Sequence, residues 1–291
     1  NGLYVYHNDT TPLQHIIHDS RNIQSLTNNI IWNIFADQEH NIWLGTDYGI
    51  SLSRYNSALQ FIPISQITGT GDGNQFYSLF RDSKGFYWFG GANGLIRFTD
   101  PAGERHDAIW YRMGDKTYPL SHNRIRHIYE DKEQQLWIAT DGSINRYDYA
   151  TRQFIHYNIV DNTGTYNTNW TYYIFEDSAG QLWISTCLGG IFVVDKRKLM
   201  QSTSGQYIAE QNYSVHNGLS GMFINQIIPD NEGNVWVLLY NNKGIDKINP
   251  RTREVTKLFA DELTGEKSPN YLLCDEDGLL WVGFHGGVMR I

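Results

Sequence analysis

At 291 residues the chain could form one large domain or two of average size, so length alone leaves the domain count open. With 14% aromatic residues, only 19% charged residues, 27 glycines and 7 prolines, the composition suits many short strands and tight turns better than helices. A formal charge of −8 without any basic run excludes nucleic acid as an expected partner, and no apolar run approaches the roughly 20 residues that span a bilayer.

In chain order, "NGLYVY" (residues 1–6) and "LQHIIH" (13–18) read as the third and fourth strands of a unit whose first half is missing. Residues 1–20 are therefore expected to be the remnant of a first blade, in a chain cut from a longer protein. His15 and His18 resemble a metal pair on paper, but residues three apart on a strand point to opposite faces. A fuller unit then recurs: "FADQEHNIWLGTDYGI", "FRDSKGFYWFGGANGL", "YEDKEQQLWIATDGSI", "FEDSAGQLWISTCLGGI", "IPDNEGNVWVLLYNNKGI" and "LCDEDGLLWVGFHGGV". The tryptophans Trp43, Trp88, Trp137, Trp183, Trp236 and Trp281 are spaced by 45, 49, 46, 53 and 45 residues, the length of a four-stranded propeller blade.

Each repeated position has a physical reason. Asp37, Asp82, Asp131, Asp177, Asp230 and Asp275 end an apolar strand, where a short carboxylate can accept hydrogen bonds from the amides of the next turn. Gly85, Gly180, Gly233 and Gly278 follow three residues later, where such a turn wants a positive φ. His40 and Gln134 replace that glycine in two units, which predicts a strained or reshaped turn at each. The Trp strand comes next, alternating inward and outward residues, with Trp expected to fill the wedge between neighbouring sheets. A loop with Gly49, Gly94, Gly142, Gly190, Gly244 or Gly287 then leads to a third strand, and outer strands are visible as "LQFIPI", "RQFIHY" and "REVTKLF". The fold predicted is an all-β propeller of four-stranded blades, a single domain over 1–291. Six blades are nearly complete and one is partial, and seven are expected in the intact protein. Cys187 and Cys274 lie far apart and outside any C-x-x-C pair, so both are expected to be small buried apolar residues, with no metal or cofactor site.

The Asp-x-x-Gly turn, the Trp followed by an apolar residue, Gly or Ser and Thr, and the Gly opening the next strand resemble the two-component regulator propeller repeat. Residues 121–142 and 215–236, with "HNGLS" as lead-in to the second, are particularly similar to it. Cys187, Leu239 and Phe284 depart from the pattern near its Thr, and Asp141-Gly142 reads as a shortened loop. In that family the repeats fill the periplasmic sensor region of Bacteroidetes hybrid two-component histidine kinases. The resemblance implies a parent with a second propeller, a small β-sandwich, a membrane helix and cytoplasmic kinase and receiver domains, anchored in the inner membrane and dimeric. Binding of an oligosaccharide or polysaccharide fragment would there control a phosphorelay that switches on polysaccharide-utilisation genes. This chain would supply sensor scaffold and no kinase chemistry.

Strand reversal places the Gly-rich loops and the blade-to-blade connections on one face and the Asp turns on the other. The connections from Asp100 to Leu120 and from Asp195 to Leu219 make the first of these faces variable, and its loops carry Asp47, Tyr48, Asn93, Asp141, Tyr240, Asn241, Lys243 and His285. Aromatic rings can cover the apolar face of a pyranose while Asp and Asn meet its hydroxyls, so these eight residues are the expected ligand site. The competing expectation is a protein-interaction or dimer-orienting scaffold with no ligand site of its own. A propeller glycan hydrolase or lyase is disfavoured, because the repeated turns account for most carboxylates and leave no evident acid/base pair.

Overall fold

A computed structural model of the chain describes residues 2–5, 14–55, 59–62, 75–99, 107–117, 119–203, 205–240, 244–259, 263, 265, 268–284 and 287–291. The chain divides into two compact units, Asn1–Glu130 with Asp148–Phe154, and Asp131–Tyr147 with Ile155–Ile291. In the first unit, strands β1 (Leu3–Val5) and β2 (Gln14–Ile16) form an antiparallel pair. They are followed by the sheets β3 (Ile31–Ala36) to β6 (Leu59–Ile62) and β7 (Phe76–Arg81) to β10 (Ile109–Tyr111), and by β11 (Ile125–Glu130). The third sheet runs β11, β12 (Leu136–Thr140), β13 (Ser143–Asp148), β14 (Gln153–Tyr157), and the division between units falls within it. The second unit continues with β15 (Ile159–Val160), β16 (Thr171–Glu176), β17 (Gln181–Thr186) and β18 (Ile191–Asp195). A short helix, α1 (Lys196–Gln201), and strands β19 (Tyr207–Ile208) and β20 (Gln211–Tyr213) come next. The sheet β21 (Ile224–Pro229) to β24 (Glu254–Leu258) and the three strands β25 (Pro269–Cys274), β26 (Leu280–Phe284) and β27 (Gly287–Arg290) complete it. Antiparallel four-stranded blades in series make this a β-propeller fold, as the repeat predicts.

The hairpin between the first and second strands of each blade is organised by its aspartate. Asp37 Oδ1 accepts the amides of Glu39 (3.1 Å) and Asn41 (2.8 Å), and Oδ2 accepts the indole N–H of Trp43 at 2.8 Å. The indole contact recurs from Trp88 to Asp82 (2.7 Å), Trp137 to Asp131 (2.8 Å), Trp183 to Asp177 (2.9 Å), Trp236 to Asp230 (3.1 Å) and Trp281 to Asp275 (2.7 Å). This bond is absent from the sequence expectation, which gave Trp a purely space-filling part. Trp43, Trp88, Trp137 and Trp183 are essentially fully buried. Burying an indole stabilises by several kcal/mol, but leaving its N–H unpaired would cost about 1–3 kcal/mol. The carboxylate six residues upstream removes that cost while closing the turn.

Packing between successive blades follows. Trp43, Ile50 and Leu52 of one sheet meet Phe76, Leu79, Tyr87 and Phe89 of the next in one buried cluster. Leu238 and Ile245 likewise meet Leu272, Leu280 and Val282. Trp43 thus fills the space between sheets as expected, while Trp88 and Trp183 also stack on Tyr111 and Tyr213 of their own outer strands, and Trp137 meets Tyr157 of its own at a tilt. The glycine two residues after Trp88 permits close approach: a Cβ on Gly90 would lie 2.4 Å from Ile125 Cγ2.

At the turn, His40 (φ 63°) and Gln134 (φ 60°) keep the left-handed conformation that Gly85, Gly180, Gly233 and Gly278 adopt at 78–88°. Those two turns are strained rather than reshaped. The Gly-rich loop differs from expectation at one point. Gly49, Gly94, Gly190 and Gly244 have positive φ, but in the third blade Ser143 (φ 81°) does, and Gly142 does not. That loop is therefore not shortened: Thr140 Oγ1 donates to Ser143 O (2.8 Å) just as Thr46 Oγ1 donates to Gly49 O (3.0 Å). The strain at Ser143 is offset by its buried hydroxyl, which bonds Tyr157 O (2.8 Å) and Thr168 Oγ1 (2.5 Å). The segments 100–120 and 195–219, read as long connections, contain outer strands β10 and β20, and the second also holds α1, which no sequence periodicity predicts. Cys187 is buried, Cys274 is partly buried, and neither is in a disulfide. Among the described residues no helix is long and apolar enough to cross a membrane.

Two outcomes are expected. Replacing exposed Gln134 with Gly should relieve left-handed strain of about 1–2 kcal/mol, partly offset by the chain entropy of glycine, so its Tm should rise above wild type by scanning calorimetry. Burial opposes ionisation of Asp37 and Asp230, but hydrogen bonds from Trp43 and Asn41, and from Asn234, outweigh it and hold both below the ordinary carboxylate range. A lowered folded pKa contributes stability above the unfolded value, so Tm followed against pH should be level towards neutrality and fall below pH about 4.

Candidate functional site

Of the expected ligand residues, Asp47, Tyr48 and Asn93 belong to the first unit, and Asp141 and Tyr240 to the second. In the first unit, Asp47 and Tyr48 lie in the loop between β4 (Ile42–Thr46) and β5 (Gly49–Ser53), where Thr46 Oγ1 fixes the turn by accepting the amide of Tyr48 at 3.1 Å. Tyr48 is 66% exposed. Asp47 Oδ1 accepts Trp32 Nε1 at 3.0 Å and Gln75 Nε2 at 2.8 Å, and Tyr77 Oη donates to Gln75 Oε1 at 2.5 Å. Trp32, 48% exposed, meets the Tyr77 ring edge-on at 5.4 Å, and the Arg126 guanidinium lies 5.9 Å from the other end of this row, over Tyr77. Trp32, Gln75, Tyr77 and Arg126 were not expected from sequence.

The signal that could have found them is positional. Trp32, Tyr77 and Arg126 each stand five residues before their blade's aspartate, as do Tyr172, Asn225 and Asn270. Pairing registers slip at this place in β3, β7, β16, β21 and β25, for example between Ile31 and Asn33 and between Phe76 and Ser78. A bulge leaves one residue out of the ladder and re-aims its side chain, so this position is released from core packing.

The other described residues of the expected set make other contacts. Asn93 gives its backbone carbonyl to Arg112 Nε (3.1 Å) in the first unit. In the second unit, the carbonyl of Asp141 accepts the amide of Trp170 (3.0 Å), and Tyr240 stacks on Phe223 at 4.5 Å with Phe223 edge-on to Tyr172 at 5.4 Å. One face of the Tyr240 ring is thus already covered. Asn241, Lys243 and His285 lie outside the described residues. His15 stacks on Tyr4 at 4.1 Å and His18 Nδ1 contacts Leu26 O at 2.6 Å, so neither is arranged as a ligand pair.

One titratable cluster lies on the Asp-turn side of the second unit. Lys196, the first residue of α1, is buried, and its ammonium pairs with Asp131 (3.1 Å), Glu176 (2.6 Å) and Glu133. Burial pulls its pKa down, but hydrogen bonds to the three carboxylates outweigh this and raise it above the ordinary lysine value. The trio's oxygens lie within 4.8 Å of one another, a spacing that would suit a hard cation, but the ammonium already stands among them. Asp131 therefore supports the turn, the Trp137 indole and a buried cation at once.

With this geometry in place, comparison with known proteins identifies its class. The model of the two-component regulator propeller family matches residues 25–48, 70–93, 119–142 and 165–187, so the chain carries four such repeats. Residues 215–236, which also resemble the repeat, lie outside the matched segments. The chain is 99% identical to two structures of the extracellular domain of BT4673 from B. thetaiotaomicron, assigned in one to the one-component systems and in the other to the hybrid two-component systems. Both align over 100% of this chain and 39% of theirs, at a TM-score of 0.78. The extracellular domain of BT3049 from the same organism (18% identity, 100% of this chain and 42% of that one, TM-score 0.60) shares the fold. So does virginiamycin B lyase from Staphylococcus aureus (15% identity, 90% and 83%, TM-score 0.63). No curated protein matches.

Replacing Lys196 with Ala would leave Asp131 and Glu176 buried without a counter-charge, at a cost of about 3–5 kcal/mol near neutrality. Denaturant titrations at neutral pH should show that deficit. In the wild type, a raised lysine pKa means the ion-pair contribution persists through neutrality and is lost only well above pH about 10.

Proposed function

We propose that this chain is part of the extracytoplasmic sensing region of a hybrid two-component histidine kinase, and that it recognises fragments of a glycan. The parent, of which the chain would be a portion, sits in the inner membrane with these blades in the periplasm, and ligand occupancy sets a phosphorelay controlling polysaccharide-utilisation genes. Near identity with the extracellular domain of BT4673 supports the sensor assignment. The chain spans 39% of those structures' chains, so membrane anchor, kinase and dimer belong to the proposal. The observation that carries glycan recognition is the Asp47 network. A carboxylate fixed by Trp32 and Gln75, between exposed rings of Trp32 and Tyr48, offers both the polar and the flat apolar surfaces a pyranose needs. Because the hydrogen bonds hold Asp47 and Gln75 in place before a ligand arrives, little ordering cost opposes binding.

A second reading uses the same exposed rings: Trp32 and Tyr48 also suit a protein contact, as a dimer-orienting scaffold would require. Calorimetric titration of the folded chain with a panel of plant and host oligosaccharides separates the two. We expect heat from at least one oligosaccharide, and affinity reduced by about tenfold or more when Trp32 and Tyr48 are both changed to Ala. Unchanged affinity in that double variant would reject the Asp47 site. No heat with any member, together with concentration-dependent dimerisation lost in the Trp32→Ala, Tyr48→Ala variant, would favour the scaffold.

A further inference from the structure

The second unit contains a cavity of ≈ 490 Å³ that includes none of the residues discussed so far as ligand contacts. Its walls are two segments outside the four-stranded blade pattern of the described residues. One is the hairpin Asp161 to Tyr166, after β15; the other runs from Ala209 through β20 to Asn217. The walls are tied together by parallel pairing of Ile159 with Tyr207 and Val160 with Ile208, a pairing mode the blades themselves never use. Each wall is also fixed internally. Asp161 accepts the amide of Tyr166 (2.8 Å) and the hydroxyl of Thr163 (2.5 Å), and Ser214 and Asn217 close a reciprocal capping box over a single 3₁₀ turn. The cavity is therefore preformed.

Its chemistry selects among ligands. No Lys or Arg lines it, while two carboxylates, Asp161 and Glu210, do. Phosphate, sulfate and uronate groups thus find no counter-charge in the lining. The carboxylates are in turn occupied: Asp161 by its own hairpin, Glu210 by the Tyr207 hydroxyl and the Asp195 amide, both at 2.8 Å. They offer little to a metal ion. Polar and apolar surface share the lining about equally, a mixture that suits a sugar better than a purely hydrophobic ligand. What remains is a set of uncharged donors and acceptors. Among the described residues the Asn162 amide and the side-chain carbonyls of Gln211 and Asn212 have no partner, and the Tyr166 hydroxyl has only a 3.4 Å contact with His216 Nε2. We propose that this cavity binds an uncharged sugar, one or two pyranose rings in size, as a second site separate from Asp47. Its volume falls within the roughly 300–1,000 Å³ range of small-molecule pockets. The proposal extends the glycan reading to a second place in the chain but stands on the cavity's own donors and acceptors.

The test titrates the folded chain with cellobiose, maltose and N-acetylglucosamine, and with glucuronate as the charged control, using calorimetry and saturation-transfer NMR. At least one neutral sugar should bind and glucuronate should not. The double variant Asn162→Ala, His216→Ala, at two exposed positions, should weaken that binding by about tenfold, the equivalent of one or two hydrogen bonds. The Trp32→Ala, Tyr48→Ala variant, which disrupts the Asp47 site, is titrated alongside as the comparison. Absence of binding by all three neutral sugars, binding insensitive to the Asn162 and His216 changes, or preference for glucuronate would each overturn the cavity assignment. Binding lost only in the Trp32 and Tyr48 variant would overturn it while leaving the Asp47 site standing. Binding lost only in the cavity variant would support it whatever becomes of Asp47.

Discussion

The structure depends on one hydrogen bond repeated six times, from a tryptophan indole to the aspartate that opens its hairpin. A propeller blade must bring large apolar side chains to the space between sheets, and Trp is the largest available. Its N–H would be a liability there. Placing the acceptor on the preceding turn couples the geometry of a surface hairpin to the filling of the core, so neither can shift alone. The same oxygen takes further donors in several blades: the Tyr87 hydroxyl at Asp37 (3.3 Å), the Tyr149 hydroxyl at Asp82 (2.6 Å) and the Lys196 ammonium at Asp131. Those donors come from the following blade, which makes the aspartate a junction between repeats as well as within them.

That coupling explains what could be read in advance. The Asp, Gly and Trp positions recur because turn geometry and core volume recur, and they led correctly to antiparallel four-stranded blades and to strained turns at His40 and Gln134. The fold was legible because repetition separates structural demand from everything else. Ser143 was misplaced by one residue because "TDGS" offers a glycine beside the position that needs positive φ, and tertiary contacts to Tyr157 and Thr168 decide the matter.

The candidate site was less legible, for a related reason. Trp32, Gln75 and Tyr77 come from the starts of inner strands in two blades, and only the folded arrangement brings them to Asp47. Sequence proximity suggested loop-tip partners such as Asn93 and Asp141, whose backbones instead serve neighbouring strands. Nothing local announced the cavity of the second unit either. Its walls depend on a parallel pairing between residues 48 apart, Ile159 and Tyr207, outside the antiparallel pattern of the repeat.

The slipped register at the head of the inner strands has an evolutionary reading. A side chain in regular alternation is committed either to the core or to solvent, and changing it disturbs the blade. The residue that the slip leaves outside the ladder carries no such commitment: it is Trp in one blade, Tyr in two and Asn in two others, without visible consequence for the blades that hold it. Each blade thus presents one interchangeable character in a fixed frame. A protein of this build can acquire a new specificity by rewriting those characters singly, while the machinery that keeps it folded is inherited unchanged.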